Sequence, residues 1–409
     1  MLEALLTESD RSLRDEVRRF VATQVPAALV RDMDAEKIQY PRQYLEALGR
    51  ANLIGLRFDT AWGGRGLPWT SEIVALEEIG VLSSSLGCLF SLPSIVGEAL
   101  HRFGTDEHKA RFLRPMLAGD KTCAEALTEP RGGSDFFGAT CTARRDGDHY
   151  VLSGQKRFVV GAEGADFFLV YARTGDGKDP HHNISVFVVE RDDSVVVHHI
   201  YGLMGTRGGG AGRIQFKDSR VPVGNRIGAE GQGGEIFNYM MIPERLTSAA
   251  GAAGSARAAL EVATRYSTKR KAFGRPIHKF QAVNFMVADS IALLDAARAL
   301  CYAAARTVDA GLDARRLVSE AKKVSTENSW TVINNAMQIL GGIGYTDVFP
   351  VERLLRDARL TMIWTGTNQI MNLLIQHEYY AELMGEKPAK RDIEHDAKNW
   401  DVEGEKIFE

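Results

Sequence analysis

The stretch Ala126-Leu127-Thr128-Glu129-Pro130-Arg131-Gly132-Gly133-Ser134-Asp135 separates two kinds of sequence. Before it, apolar residues recur at helical spacing; after it, they come in short runs parted by turn dipeptides. Pro130 and the two glycines set a loop that exposes backbone N–H groups, and Thr128 and Ser134 add hydroxyl donors. On these residues alone, a loop that carries chemistry and a plain interdomain turn explain the stretch equally well.

Working outward, Asp10 to Gln24 places Leu13, Val17, Phe20 and Val21 on one helical face, and Pro41 opens a second helix toward Leu53. A glycine-rich loop, 62–66, follows. From Thr70 to Phe103 the pattern is apolar with Glu72, Glu77, Glu78 and Glu98, and no Lys or Arg occurs between Arg65 and Arg102. Thr105 to Leu117 makes a short charged helix closed by Gly119. Downstream of the loop, Tyr150–Leu152, Phe158–Val160, Phe167–Tyr171, Ile184–Val189 and Val195–Ile200 read as strands between turn signals such as Asp146-Gly147 and Asp176-Gly177. No long helical pattern interrupts them, which predicts an antiparallel sheet or barrel rather than a parallel nucleotide-binding one. The glycines of 205–212 miss the GxGxxG spacing and open no helix, so they read as a tight inter-strand connection.

From Gly231 onward the helical period returns over Glu235–Ser267, Gln281–Ala310, Ala314–Leu340 and a helix after Thr367. The second of these is apolar enough to predict that other helices surround it. Gly311 and Gly341-Gly342 end two members of a four-helix bundle. The expected fold class is α+β, with a helical domain at 1–121, a β-domain at 122–228, a bundle at 229–386 and a charged tail at 387–409.

Composition narrows the function. A chain of 409 residues with 44% apolar and 25% charged content buries a substantial core, and a net charge of −3 offers nucleic acid no general attraction. Cys88, Cys123, Cys141 and Cys301 are too scattered for a paired metal site and too few for a disulfide scaffold. No metal is expected. No apolar run reaches membrane-spanning length, and Met1 to Asp10 lacks the basic start and apolar core of a signal peptide, so the reading is a cytoplasmic protein.

Three further clusters bear on chemistry. In Asp357–Gln369, apolar bulk gives way at Gly366 to Thr367, Asn368 and Gln369 at a helix start, where free N–H groups collect; a simple cap with solvated neighbours is the competing reading. Lys269, Arg270, Lys271 and Phe273 put three cations and a ring at a helix end, which suits a diphosphate or a solvated basic cap. In Met240–Leu246, apolar neighbours and Pro243 surround Glu244, so a pocket there desolvates its carboxylate and raises its pKa toward that of a useful base, while Arg245 opposes the shift.

Together the motifs Leu127-Thr-Glu-Pro with Gly133-Ser-Asp135, Arg270-Lys-Ala-Phe-Gly274, Gln338-Ile-Leu-Gly-Gly342, and Gly366-Thr367 with Gln369 resemble those of the flavin-dependent acyl-CoA dehydrogenases, over about residues 8–385. The resemblance implies FAD between β-domain and bundle. Ala126, Leu127, Thr128, Gly133 and Ser134 would line the isoalloxazine ring, with Phe158 and Val160 beside it. Arg270, Phe273, Gln281, Gln338, Gly341 and Gly342 would meet the diphosphate and adenosine part from a neighbouring subunit, and Thr367 and Gln369 would close over the cofactor. A site shared between chains implies a homotetramer, a dimer of dimers. The family usually places a threonine near flavin N5 where this chain has Val160, and often an aromatic residue where it has Glu125.

The resemblance also implies the chemistry. Most members carry the catalytic glutamate just before the Gly-Thr pair, where Thr365 stands here; long-chain and isovaleryl-type members place it before the arginine of the first bundle helix, which here is Glu244. Glu244 would take the α-proton while the β-hydrogen leaves as hydride to flavin N5, giving a trans-2-enoyl-CoA. The Thr365 backbone N–H would hold the thioester oxygen, and Ser134, Met241, Arg245 and Gly366 would complete the substrate site. Electrons would then pass to electron-transferring flavoprotein. The missing cation between residues 66 and 101 removes the arginine that glutaryl-type relatives use for a distal carboxylate, which favours a neutral acyl tail or a carboxylate met elsewhere, and the alternate base position with a small Thr365 implies room near the α-carbon for a branched, long or ring-bearing, including aryl-substituted, chain. An acyl-CoA oxidase and a non-oxidising relative, lyase-type or acyl-CoA-binding, are the other readings.

Overall fold

Helix α1 (Glu8–Gln24) starts where Thr7 can cap it. The Thr7 hydroxyl accepts from the Asp10 amide at 3.1 Å, and the Asp10 carboxylate accepts from the Thr7 amide at 3.1 Å, so two otherwise free donors are satisfied reciprocally. Its Leu13, Val17 and Phe20 stripe is buried. In the computed structural model, which describes residues 3–385, the helical region continues through α2 (Ala27–Asp34), α3 (Arg42–Arg50), α4 (Trp69–Ile79) and α5 (Ser84–Phe103). A final segment runs α6 (Asp106–His108), a π-helical turn Lys109–Leu113, and α7 (Arg114–Leu117).

The sheet contains β1 (Cys123–Ala126), β2 (Thr142–Asp146), β3 (His149–Val159), β4 (Phe167–Arg173), β5 (Ile184–Glu190), β6 (Val195–Ile200), β7 (Gly212–Pro222) and β8 (Arg226–Ile227). Their order is β6-β7-β3-β2-β4-β5-β8, with β1 beside β4. The hairpin pairs are antiparallel, but β1 pairs with β4 in parallel, Glu125 opposite Leu169. A parallel pair needs a long connection, and the β2–β3 hairpin supplies it. The two runs expected at 150–152 and 158–160 prove to be one strand, β3, whose register against β7 slips between Lys156 and Val159. Phe158 sits in that bulge with φ +56. Strand β4 is buried on both faces: Phe168, Val170 and Ala172 join the sheet's own core, while Phe167, Leu169 and Tyr171 face the helices.

The last region packs α8 (Gly233–Lys269), α9 (Gln281–Asp309), α10 (Arg315–Leu340) and α12 (Asn368–Gly385), with a short α11 (Val351–Thr361) that the sequence reading did not resolve. Gly311 at φ +67 and Gly341 at φ +65 end α9 and α10 in conformations that side chains avoid. The expectation that α9 is surrounded by other helices fails within one chain: Phe285 is 59% and Ile291 43% exposed. Apolar periodicity reports that a face must be covered, not that the same chain covers it. The tail 387–409 lies outside the described residues. Among the described residues no helix is long and apolar enough to cross a membrane.

Buried charge ties these layers together. The acids of α4 and α5 take their cations from elsewhere: Arg57 pairs with Glu72 at 2.9 Å and with Glu98, Arg257 of α8 with Glu78 at 2.7 Å, and Arg298 of α9 with Glu77 at 2.5 Å. In the sheet, Lys156 is fully buried and bonds Glu129 at 2.9 Å and the Leu127 carbonyl at 3.0 Å. Glu129 also accepts from the Thr140 amide at 2.6 Å, the Thr140 hydroxyl at 2.7 Å and the Cys141 amide at 3.0 Å. Burial pushes the Glu129 pKa up, but Lys156 and these donors outweigh it and hold the carboxyl below its ordinary value.

Removing one partner of such a pair strands the other. Lys156→Met is therefore expected to cost about 3–5 kcal/mol, read as a lower urea midpoint, with Lys156→Met/Glu129→Gln losing less than the sum of the single changes. Because the folded pKa of Glu129 is depressed, its contribution is complete above the unfolded value of about 4.3. Acid removes it as pH falls through the folded pKa, so the midpoint of the native protein should decline there more steeply than that of Glu129→Gln.

Candidate active site

Helix α8 presents one stripe to the sheet and the C-terminal loop: Phe237, Met241, Glu244 and Ser248, spaced i, i+4, i+7 and i+11. At one end Phe237 packs across Tyr171 of β4, ring centroids 6.4 Å apart, and stacks on Phe136 at 3.8 Å. At the other end the Ser248 hydroxyl lies 3.1 Å from the Thr365 hydroxyl. Glu244 therefore sits between the sheet and the loop 365–368. Pro243, just before it, has no N–H to return to the preceding turn, so one rung of α8 is missing beside the carboxylate.

Glu244 is 9% exposed. Its pKa is raised: desolvation outweighs the hydrogen bond from Glu125 and the charge of Arg245, both of which lower it. Arg245 itself is buried, donates to the Ser319 hydroxyl at 3.0 Å, and has its pKa pushed down to about 10 by burial first and by Arg315 next.

The loop after α11 is held from below. Thr365 takes φ +50 and Gly366 φ +85, which turns the chain sharply at the site. Lys322 of α10 donates to the Gly366 carbonyl at 2.8 Å and to Asn368 Oδ1 at 2.9 Å, and Asn368 Nδ2 donates to the Thr326 hydroxyl at 3.0 Å. Thr367 caps α12, its hydroxyl accepting from the Ile370 amide at 3.3 Å. Lys322 escaped the sequence reading, which named Asn368 only as one of the polar residues at the helix start. A lysine in a helix reads as solvated, and only the tertiary structure shows it to be fully buried.

The flavin-lining candidates converge from the opening stretch and β3. The Arg157 amide donates to the Thr128 carbonyl at 2.8 Å, and Gly133 packs so closely on Thr128 that an added Cβ would lie 3.3 Å from its hydroxyl. Val160 packs beside this strand end, and Phe158 is 53% exposed next to it. Arg157 Nε is buried without a partner. This spare donor and the hydroxyls of Thr128 and Ser134 suit the carbonyl- and nitrogen-rich edge of a flavin, so the residues present fit the group.

The remaining cofactor candidates stay apart. Arg270 closes α8 about 39 Å along the helix from Glu244, and Phe273 in the turn between β9 (Lys271–Ala272) and β10 (Arg275–Pro276) is 95% exposed. Gln281, Gln338, Gly341, Gly342 and Gln369 are exposed as well.

Fold and site together place a buried carboxyl of α8 near a lysine-held polar loop, beside residues that fit a flavin. The chain belongs to the acyl-CoA dehydrogenase family, which is FAD-dependent: the family's N-terminal domain matches residues 7–120, its middle domain 124–219 and its C-terminal domain 231–379. It is 33% identical to the short-chain specific acyl-CoA dehydrogenase of Clostridium acetobutylicum, covering 92% of this chain and 99% of that one. It is 36% identical to the cyclohex-1-ene-1-carbonyl-CoA dehydrogenase of Geobacter metallireducens, covering 90% and 97%. Among solved structures, the butyryl-CoA dehydrogenase of Megasphaera elsdenii superposes with a TM-score of 0.88 at 30% identity, covering 92% and 99%. The protein is thus an oxidoreductase of this family.

Burial, reinforced by Arg245, pushes the Lys322 pKa down to about 7 from 10.5. Between those values the unfolded chain binds a proton that the folded chain lacks, so this lysine makes stability rise with pH across that window. Lys322→Met should flatten the rise in denaturation midpoint between pH 7 and 10. It should also loosen the Thr365 loop and lower kcat about tenfold or more, the two hydrogen bonds from Lys322 to Gly366 and Asn368 being lost.

Proposed function

We propose that the chain oxidises an acyl-CoA to a trans-2-enoyl-CoA, with Glu244 as the base that removes the α-proton. One observation carries this reading: Glu244 and Ser248 share a face of α8, and Ser248 bonds Thr365, the position where most relatives keep their acid. A carboxylate on α8 and one on the loop would therefore address the same space, which makes the loss of an acid at Thr365 tolerable. Desolvation raises the basicity of Glu244 toward that needed for a weakly acidic carbon. The Thr365 N–H, a backbone donor that survives substitution of its side chain, polarises the thioester carbonyl as charge develops on it. Met241, Arg245, Ser134 and Gly366 complete the substrate site. FAD, when bound, supplies the hydride acceptor; Leu127, Thr128, Gly133, Ser134, Phe158 and Val160 hold its ring, and Ala126, whose side chain is buried in the sheet's core, adds backbone alone.

The exposed Arg270, Phe273, Gln281, Gln338, Gly341 and Gly342 support a cofactor site completed across a subunit boundary, in a homotetramer that also covers the open face of α9. The domain limits fall at 121/122 and 228/229. Electron-transferring flavoprotein is the proposed acceptor and the cytoplasm the proposed location. The segment 66–101 offers no cation for a distal carboxylate, and Arg57 beside it is already committed to Glu72 and Glu98. A branched, long or ring-bearing neutral acyl group is the substrate class this favours.

Anaerobic titration with an acyl-CoA panel should bleach the oxidised flavin's visible absorbance; no bleaching with any member would leave the lyase or binding reading. Glu244→Gln should lose about 10²- to 10⁴-fold in turnover while keeping FAD and substrate binding. Glu244→Gly/Thr365→Glu should recover part of that loss.

A further inference from the structure

One titratable side chain at this site has no part in the reaction as described. Glu125 lies on β1 between Cys123 and the opening stretch. The strand's register puts it on the face shared by Cys123, Phe167, Leu169 and Tyr171, which is turned toward the helices, with α5 packed on β1 and Phe237 of α8 against Tyr171. The neighbours Ala124 and Ala126 point the other way, into the sheet's own core. Across from it runs the α8 stripe, Phe237 against Tyr171 and Glu244 two turns further on, so the Glu125 and Glu244 carboxyls come within hydrogen-bonding reach.

Two carboxyls meeting in an apolar pocket need either a cation or a proton between them. The nearest cations are committed: Lys156 to Glu129 and Leu127, and Arg245 to Ser319. A second, independent feature points into the same spot. Tyr171 is 0% exposed, and its hydroxyl lies close enough to Glu125 for each to shift the other's pKa, yet neither that hydroxyl nor Glu125 Oε1 completes a well-formed hydrogen bond. A buried phenol set beside a carboxyl makes this a polar enclave rather than a plain packed core.

We propose that Glu125 is a positioning residue for the base: it keeps the proton that the two carboxyls share and donates it to Glu244, holding Glu244 ionised and aimed at the substrate. This rests on the assignment of Glu244 made above. The electrostatics agree in direction. Burial first, and then the Glu244 charge, raises the Glu125 pKa well above the ordinary value, whereas the hydrogen bond from Glu125 lowers that of Glu244. Every titratable neighbour of the pair acts on this balance: Tyr171 on β4, Lys156 on β3, Cys123 on β1, Cys88 on α5 and Arg245 on α8. The thiols and the phenol are themselves raised by burial and stay neutral, so they add no charge to the pair.

The test is the pH profile of flavin reduction in the holoenzyme, measured for the native enzyme, Glu125→Gln and Glu125→Leu. The amide of Glu125→Gln still donates to Glu244, so its rate at neutral pH should stay within several-fold of native. Glu125→Leu removes the donor; its acid limb should move up by about one to two pH units, with a neutral-pH loss of about 10- to 100-fold. That loss should be recovered at alkaline pH, which a misfolded variant would not do. Difference infrared spectra should show a protonated carboxyl band in the native protein at neutral pH that Glu125→Gln lacks.

An acid limb in Glu125→Leu that superimposes on the native one, or a loss that alkaline pH does not restore, overturns the proposal. So does a carboxyl band that persists in Glu125→Gln. If Glu125→Gln is as damaging as Glu244→Gln, Glu125 itself receives the proton. Failure of the underlying assignment shows separately, as undiminished flavin reduction in Glu244→Gln.

Discussion

The buried ion pair of Glu129 and Lys156 is the constraint on which the site depends. Neither group has water to solvate it, and each is tolerable only because the other is there and because the remaining lone pairs and protons find Leu127, Thr140 and Cys141. Those partners belong to the two ends of the loop that begins at Ala126. The pair therefore fixes the loop's entry and exit on the sheet, and with them Thr128, Gly133 and Ser134. Buried charge is a poor source of net stability but a strict source of geometry, because a shift that lengthens the contact exposes an uncompensated ion to a low dielectric.

The same physics recurs at the loop 365–368. Lys322 is buried under the turn and divides its protons between the Gly366 carbonyl and Asn368. A pKa pushed down to about 7 does not abolish this clamp, since a neutral amine still has two N–H donors. Two lysines in unrelated elements thus hold the two loops that meet one stripe of α8, Phe136 against Phe237 toward one end and Thr365 against Ser248 toward the other, with Glu244 between them. The carboxyls of Glu125 and Glu244 are treated differently: burial raises both first, each acts on the other, and Lys156 and Arg245 lower them only as neighbouring charges.

Much of the site was legible in the residues. Pro130 with its glycines announced the loop, and apolar bulk around Glu244 announced a desolvated carboxyl. What was not legible were the groups whose role depends on burial. Lys156, Lys322 and Glu125 sit in segments where charged residues ordinarily face solvent, and no spacing rule distinguishes a buried lysine from an exposed one. The acids of 66–101 looked unbalanced in the sequence, yet Arg57, Arg257 and Arg298 neutralise them from distant positions. The apolar face of α9 was legible as a face to be covered, but the chain by itself leaves its first half open.

By itself the sequence determined the order of helices, strands and bundle, the turns that end them, and the motifs that mark a flavin site, because these follow from periodicity, proline and glycine chemistry, and local spacing. Only the tertiary structure decided which ionisable groups meet. It turned β1 parallel to β4 so that Glu125 faces α8, it set Ser248 against Thr365, and it enclosed two lysines. Charge pairing across hundreds of residues is a property of packing, and desolvation, which raises the carboxyls of Glu125 and Glu244 and lowers Lys322, has no counterpart in the linear chain.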